Sequence, residues 1–105
     1  MEHSALAGKE LLIAALLGEH HELMGVDVMR LSKGQLVRGT VYVTLDRMKE
    51  KKLVQSRVIP PNRGEGIPPV RLYRLSSLGH RLLFATAMAN KSFMLAMQSS
   101  KKALP

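Results

Sequence analysis

The sequence predicts a small, mainly α-helical domain with one β-hairpin (α+β), and three observations lead to this fold class. Apolar residues recur at helical spacing in four segments of the chain. Between the third and fourth segments lie two short runs with the β-branched content and alternation of strands. Residues 60–69, between those runs, contain four prolines and two glycines, which excludes both helix and strand there.

The composition limits the class of protein. A chain of 105 residues, 46% of them hydrophobic, has room for one compact domain with a real core. It has no cysteine, which excludes disulfides, thiolate metal sites and cysteine nucleophiles and fits a reducing compartment such as the cytoplasm. The apolar run 11–17 is too short to span a bilayer and follows Glu10 rather than a basic leader. We therefore expect a buried helix, with neither a signal peptide nor a membrane partner.

The first two helices are predicted from apolar spacing and turn residues. Residues 6–18 are apolar nearly all round, which predicts a helix buried on several sides. The polar residues 19–22 predict a turn or a frayed connection, after which a short second helix covers about 25–33. Gly34 then permits the positive φ that ends this helix and redirects the chain.

The third helix, over 38–52, is predicted to have two distinct sides. One is a buried apolar stripe of Val41, Leu45 and Met48. The other is polar and basic and consists of Thr40, Thr44, Arg47 and Lys51. Two helices joined by a tight glycine-containing turn, the second with one apolar and one basic face, predict a helix-turn-helix.

A hairpin follows the third helix. Residues 53–59 and 70–75 are the expected strands, and their connecting loop carries Arg63 at its tip. Such a hairpin beside a helix-turn-helix is a wing, so the full prediction is a winged helix-turn-helix with a C-terminal dimerisation helix. We expect residues 1–76 to form the winged part and 77–105 the last helix and tail.

The last helix, predicted over 77–98 with Ser76 as its N-cap, has more apolar surface than one small domain can cover. A second copy of the chain is the simplest partner, which predicts a homodimer. The expected interface residues are Leu82, Phe84, Met88, Phe93 and Met97. These aromatic and methionine side chains, with Met94, would also suit a pocket for a hydrophobic small-molecule effector between subunits, although plain dimer packing is the favoured explanation.

Charge is distributed unevenly along the chain, whose formal net charge is +8. Residues 1–25 carry Lys9 against four glutamates, whereas basic side chains dominate from residue 26 onwards. A basic segment beside an acidic one is typical of a polyanion-binding face.

Two blocks of the sequence resemble a known family. Residues 38–54 (RGTVYVTLDRMKEKKLV) resemble the signature of the PadR-like transcriptional regulators, and residues 73–79 (YRLSSLG) are similar to that family's Tyr-Arg-Leu-Thr-x-x-Gly motif. The resemblance covers roughly residues 8–83, and Lys52 stands where the family usually has glycine. It implies a homodimer that binds double-stranded operator DNA, with the third helix in a major groove and the wing along the backbone, most simply as a repressor.

The resemblance and the basic face together give the candidate DNA-binding residues, which are Arg38, Thr40, Tyr42, Thr44, Arg47, Lys51 and Arg63. Alternatives remain open for several of them. Tyr42 could instead pack between helices, Thr40 could be an N-cap, and Arg47 and Lys51 could be only a solvated face. For Arg57, Arg71 and Arg74, solvent-facing strand positions are at least as plausible as phosphate contacts.

Other functions are less well supported by the sequence. His20, His21 and Glu22 lack the ligand spacing of a metal site, and we expect no metal and no cofactor. No carboxylate pair, nucleophile–base set or phosphate-cradling loop predicts an enzyme. The competing hypothesis is a winged helix that binds other proteins and uses its basic residues only for solubility.

Overall fold

The computed structural model describes residues 6–61, 66 and 68–102, and side chains as far as Ala89. Four helices and one hairpin follow one another in the predicted order. They are α1 (Gly8–His20), α2 (Gly25–Leu31), α3 (Arg38–Glu50), β1 (Val54–Ile59), β2 (Val70–Leu75) and α4 (Ser77–Lys102). This arrangement confirms the predicted α+β winged-helix fold. None of the described helices is both long enough and apolar enough to cross a membrane.

The core lies where α3 packs against α1 and α2. The predicted stripe of Val41, Leu45 and Met48 is fully buried, as are Ile13 and Leu17 of α1. Val28 of α2 and Tyr73 and Leu75 of β2 complete the same cluster. Burial of these side chains, each stabilising by about 1.5–3 kcal/mol, fixes how α3 is presented to solvent.

The turn between α2 and α3 is held by Ser32, which is 2% exposed. Its hydroxyl donates to the carbonyl of Met29 at 2.7 Å and accepts from the amide of Leu36 at 3.1 Å. Gly34 has φ +88°, so the predicted use of glycine in this turn is confirmed.

The hairpin is antiparallel. A third segment of the chain also pairs with it, which the sequence did not predict. Val54 pairs with Leu75 at its base and Ile59 with Val70 at its far end. Leu23 pairs with the free edge of β2 through two bonds with Tyr73, of 3.1 and 2.8 Å. The expected turn at 19–22 is thus wrong in part, because α1 continues to His20 and the chain then enters this bridge.

α3 ends in a tight reversal at Lys52. The amide of Lys52 donates to Lys49 (3.0 Å) and that of Leu53 donates to Met48 (2.8 Å), which is the Schellman pattern. Lys52 itself has φ +67°, a left-handed conformation that glycine adopts without cost. The residue that departs from the family pattern therefore occupies the position glycine would fill best.

α4 begins against the Leu53 backbone. The amide of Ser76 donates to the Leu53 carbonyl at 2.9 Å, and the Ser76 hydroxyl accepts from the amide of Gly79 at 3.0 Å, confirming the predicted N-cap. A Cβ on Gly79 would collide with the Leu53 carbonyl oxygen. Further along, Leu83 packs against Gly18 of α1. The first turns of α4 are thus part of the winged domain's core.

Replacing Gly79 with alanine should lower the free energy of unfolding by about 1–3 kcal/mol, because backbone rather than a mobile side chain occupies the space a Cβ needs. Urea denaturation measures this. Gly39→Ala is the matched control, since nothing lies within 4 Å of a Cβ there, and we expect it to stabilise by roughly 0.5–1 kcal/mol. Equal effects of the two substitutions would contradict the packing described.

Lys52→Gly should raise the free energy of unfolding by about 1 kcal/mol, since glycine relieves the left-handed strain. The same substitution within the last turn of the helix, Lys49→Gly, should lower it by about 1 kcal/mol, because residue 49 lies within α3. Denaturation midpoints of the two variants should therefore move in opposite directions. Destabilisation by both would show that Lys52 is not strained.

Candidate nucleic-acid interface

The solvent-facing strip of α3 differs from the one predicted. Gly39, Val43, Asp46 and Glu50 are all exposed and recur every three or four residues, opposite the buried stripe. Val43, at the centre of this strip, is 53% exposed. The strip that could enter a groove is thus apolar at its start and acidic at its end.

Two residues of the predicted basic face make contacts within the domain itself. Thr44 is 5% exposed, because neighbouring elements cover that side of α3, so its prediction as a DNA contact is wrong. Lys51 forms an ion pair with Glu10 of α1, with 2.7 Å between Nζ and Oε2. This pairing directs the lysine, whose side chain is still 43% exposed, toward α1.

Arg47 is exposed on the flank of the solvent-facing strip, and it forms no ion pair with any of the described residues. Its placement is compatible with the predicted contact. Arg63 lies outside the described residues.

The N-terminus of α3 carries no side-chain cap. Its N-cap is Val37, which is 65% exposed and offers no acceptor to the first-turn amides. Thr40 is the third residue of the helix and half-buried, so the alternative that it caps α3 is wrong. The helix therefore presents unpaired amides and the positive end of its dipole to solvent, an arrangement that favours anions.

An open cleft of about 680 Å³, here called the wing cleft, lies beside this terminus, between α2, α3 and β2. Its apolar lining comprises Met24, Val26, Pro68, Pro69 and Val70, and its polar lining comprises Arg38, Tyr42 and Arg71. The structure therefore brings together two of the predicted residues, Arg38 and Tyr42, with Arg71, for which solvent exposure alone was an equally good expectation.

Tyr42 both packs and faces the cleft, so its two interpretations are compatible. A Cβ on Gly25 would lie 2.5 Å from the Tyr42 ring, which shows that the ring rests directly on the start of α2. The guanidinium carbon of Arg38 lies 6.0 Å from the ring centroid, within range of a cation–π contact. The ring thus supports Arg38 at the rim of the cleft.

The three arginines on the hairpin strands have different environments. Arg71 lines the wing cleft and donates to the Ser56 hydroxyl at 3.1 Å. Arg74, at a position facing the other side of the hairpin, donates to Gln55 at 3.3 Å. Arg57 binds both carboxylate oxygens of Glu22 at 2.8 Å. The strand register places Arg57 and Arg74 on one face of the hairpin and Arg71 on the other, and the tertiary contacts show that Arg57 is the one paired with a carboxylate.

The Glu22–Arg57 pair fastens the hairpin to the segment that follows α1. Its two hydrogen bonds lower the pKa of Glu22 and raise that of Arg57. The carboxylate of Glu22 is therefore occupied by Arg57. Within the described part of the chain, no group of His, Asp and Glu side chains could hold a metal ion.

The predicted dimer residues on α4 fall into three groups. Phe84 and Met88 are 67% and 47% exposed, and Phe84 borders an open groove of about 440 Å³ between α1 and α4. Leu82 is half-buried and packs against the domain's own core, so less of it is free for a partner than we expected. The side chains of Phe93 and Met97 lie outside the described residues.

Comparison with known proteins finds similarity in fold. The sequence matches no protein-family model and no curated protein. A PadR family transcription regulator from Clostridium difficile superposes with a TM-score of 0.64 at 21% identity, covering 91% of this chain and 97% of that one. A PadR-like transcription factor from Bacteroides fragilis superposes with a TM-score of 0.69 at 22% identity, covering 86% of each chain. BpsR of Bordetella bronchiseptica, whose DNA binding is regulated by 6-hydroxynicotinic acid, superposes with a TM-score of 0.71 at 19% identity, covering 91% of this chain and 67% of that one. The chain therefore has the winged-helix fold of PadR-type regulators, as the two sequence blocks implied.

The Glu22–Arg57 pair predicts a specific pH dependence of stability. Because the pKa of Glu22 is lowered in the folded state, its contribution is present above its unfolded pKa of about 4.3 and is lost as the pH falls through the lowered value. Glu22→Gln should therefore melt below wild type at neutral pH, and the two melting temperatures should converge in acid. Glu19→Gln is the control: Glu19 is 73% exposed and its contact with His20 is only at 4.0 Å, so this variant should differ from wild type much less than Glu22→Gln does. A difference between Glu22→Gln and wild type that does not change with pH would contradict this role.

Proposed function

We propose that this protein is a sequence-specific regulator of transcription that binds double-stranded DNA as a homodimer, most simply as a repressor. The observation that supports this best is the joint placement of Arg38 and Arg71 around the wing cleft, beside the uncapped start of α3. The fold shared with PadR-type regulators is consistent with it.

Phosphate contact is the role we assign to the cleft rim. The two arginines and the first-turn amides of α3 are donors of the kind that phosphate oxygens accept, on two elements that flank one opening. None of the described residues that line the cleft is acidic, so no carboxylate among them opposes an approaching polyanion. Such contacts fix the position of the protein on DNA but do not select a sequence.

Base selection is assigned to the solvent-facing strip of α3 and to Arg47 at its flank. Gly39 leaves room for close approach, and Val43 offers an apolar surface for a thymine methyl group. Asp46 can accept from the amino group of cytosine, and Arg47 can donate to guanine. A helix that is apolar first and acidic later would enter the major groove by its N-terminal turns, with Glu50 outermost.

Dimerisation is assigned to α4 and its groove with α1. Phe84 and Met88 are large apolar side chains that the described residues leave uncovered, four positions apart on one side of a helix. A two-fold dimer would place two copies of α3 on successive major-groove segments, about 34 Å apart. A repressor needs nothing more, because occupying a promoter is sufficient to block it.

Release by a small molecule belongs to the same proposal. The DNA binding of BpsR, which shares the fold, is regulated by a small organic acid. In this proposal, a small molecule that binds the present protein lowers its affinity for the operator and so releases it from DNA.

The salt dependence of DNA binding tests the phosphate role. Arg38→Ala and Arg71→Ala should each weaken binding to a duplex and reduce the slope of log K against log salt by about 0.9 for each phosphate that is no longer neutralised. Fluorescence anisotropy between about 50 and 200 mM salt gives both quantities. Arg74→Ala removes the same charge from the other face of β2 and should leave the slope unchanged. Identical slopes in all variants, or a salt-independent affinity of wild type, would contradict DNA binding and favour the protein-interaction alternative.

Sedimentation tests the dimer. Wild type should sediment as a dimer, whereas Phe84→Glu should shift the equilibrium toward monomer by burying an unpaired charge in the interface. Because Phe84 is 67% exposed within one chain, the monomeric variant should remain folded and still unfold cooperatively on heating. Val58→Glu, at an exposed valine on the hairpin, is the control and should remain dimeric. A monomeric wild type, or a dimeric Phe84→Glu, would contradict the assignment.

A further inference from the structure

Building on the proposed DNA-binding function, we propose that the wing cleft is also an effector site for an aliphatic monocarboxylate, which competes directly with the DNA backbone. The carboxylate would bind Arg38 and Arg71, and the hydrocarbon chain would lie along the apolar part of the cleft. The lining, the charge and the shape of this one surface support the proposal.

The cleft is more apolar than phosphate contact requires. A phosphate needs only donors at the rim, whereas Met24, Val26, Pro68, Pro69 and Val70 also line this opening. A volume of about 680 Å³, mainly apolar walls and a few convergent polar groups are typical of small-molecule sites. DNA binding alone leaves that apolar surface unexplained.

The polar groups specify an anion. Arg38 and Arg71 approach the cleft from different elements, α3 and β2, and the described residues of the lining include no carboxylate. Guanidinium groups match the geometry of a carboxylate through paired hydrogen bonds. Burial raises the pKa of Tyr73, so its phenol stays protonated and adds no negative charge. The lining is therefore cationic at neutral pH.

The aromatic residues of the cleft favour an aliphatic ligand over a planar one. Arg38 lies over the ring of Tyr42, and the hydroxyl-bearing edge of that ring rests against Gly25. Tyr73 is 5% exposed. Arg38 thus covers one face of Tyr42 and Tyr73 is buried, which leaves little ring surface for an aromatic ligand to stack on, whereas the valine, methionine and proline side chains suit a hydrocarbon chain.

Competition with DNA follows from the shared arginines. A carboxylate that occupies Arg38 and Arg71 takes the donors assigned to phosphate and blocks the surface that the backbone must approach. The effect is local, since effector and DNA use the same residues and no conformational change is required.

Binding can be measured without DNA, because the tyrosines of the chain report on this cleft. The chain has two tyrosines and no tryptophan, and both Tyr42 and Tyr73 line the cleft. Octanoate, which does not absorb where tyrosine does, should change tyrosine emission saturably. Affinity should rise along the series from butanoate to octanoate by up to about fourfold per buried methylene. Octanamide, uncharged and of equal length, should bind about tenfold or more weakly than octanoate.

Two variants and a competition assay complete the test. Arg71→Ala should weaken octanoate binding about tenfold, whereas Arg74→Ala should not change it. On duplex DNA, octanoate should raise the apparent Kd linearly with its concentration, and acetate at equal ionic strength should not.

The site is overturned if octanoate and octanamide bind equally, if chain length has no effect, if emission does not respond, or if Arg74→Ala weakens binding as much as Arg71→Ala. Octanoate binding in a protein that shows no salt-sensitive DNA affinity would retain the site and reject the proposed function. DNA binding without any octanoate response would reject only the site.

Discussion

The backbone of Leu53 joins α3, the hairpin and α4 at one point. Its amide closes the end of α3 on Met48, and its carbonyl accepts the amide of Ser76 at the start of α4. Gly79 must approach that carbonyl without a Cβ. Because one residue serves all three elements, the hairpin has a fixed orientation relative to α3. The distance between Arg38 and Arg71, and so the shape of the wing cleft, depends on this joint.

Charge pairing determines which part of the basic surface is available. Three cations form ion pairs within the described residues: Arg30 with Asp27, Lys51 with Glu10 and Arg57 with Glu22. The net charge of +8 is therefore not spread evenly over the surface. Glu10 and Glu22 of the first segment fasten other elements, and the arginines at the wing cleft are left to meet a ligand. A count of charges along the sequence cannot show this division.

The elements of the fold followed from local patterns, whereas the site depended on contacts between distant residues. Helical spacing identified the buried stripe of α3, and Ser76 and Gly34 marked boundaries correctly, because periodicity and turn chemistry act locally. The same spacing placed Thr44 on the polar side, but neighbouring elements cover that flank, which no pattern within α3 reveals. Arg71 was undervalued because its partner across the cleft, Arg38, lies more than thirty residues earlier in the chain. The bridge between Leu23 and Tyr73 was missed because a single residue pair leaves no periodic signal.

Selection of bound sequences from a random pool of duplex DNA tests the central claim most directly. If α3 reads bases and α4 pairs two copies, the recovered sequences should contain an inverted repeat whose half-sites lie about one helical turn apart. Repeating the selection with Arg47→Ala should relax the preference at one position of each half-site while keeping the spacing. Recovery of no enriched sequence by the wild-type protein would contradict sequence-specific DNA recognition.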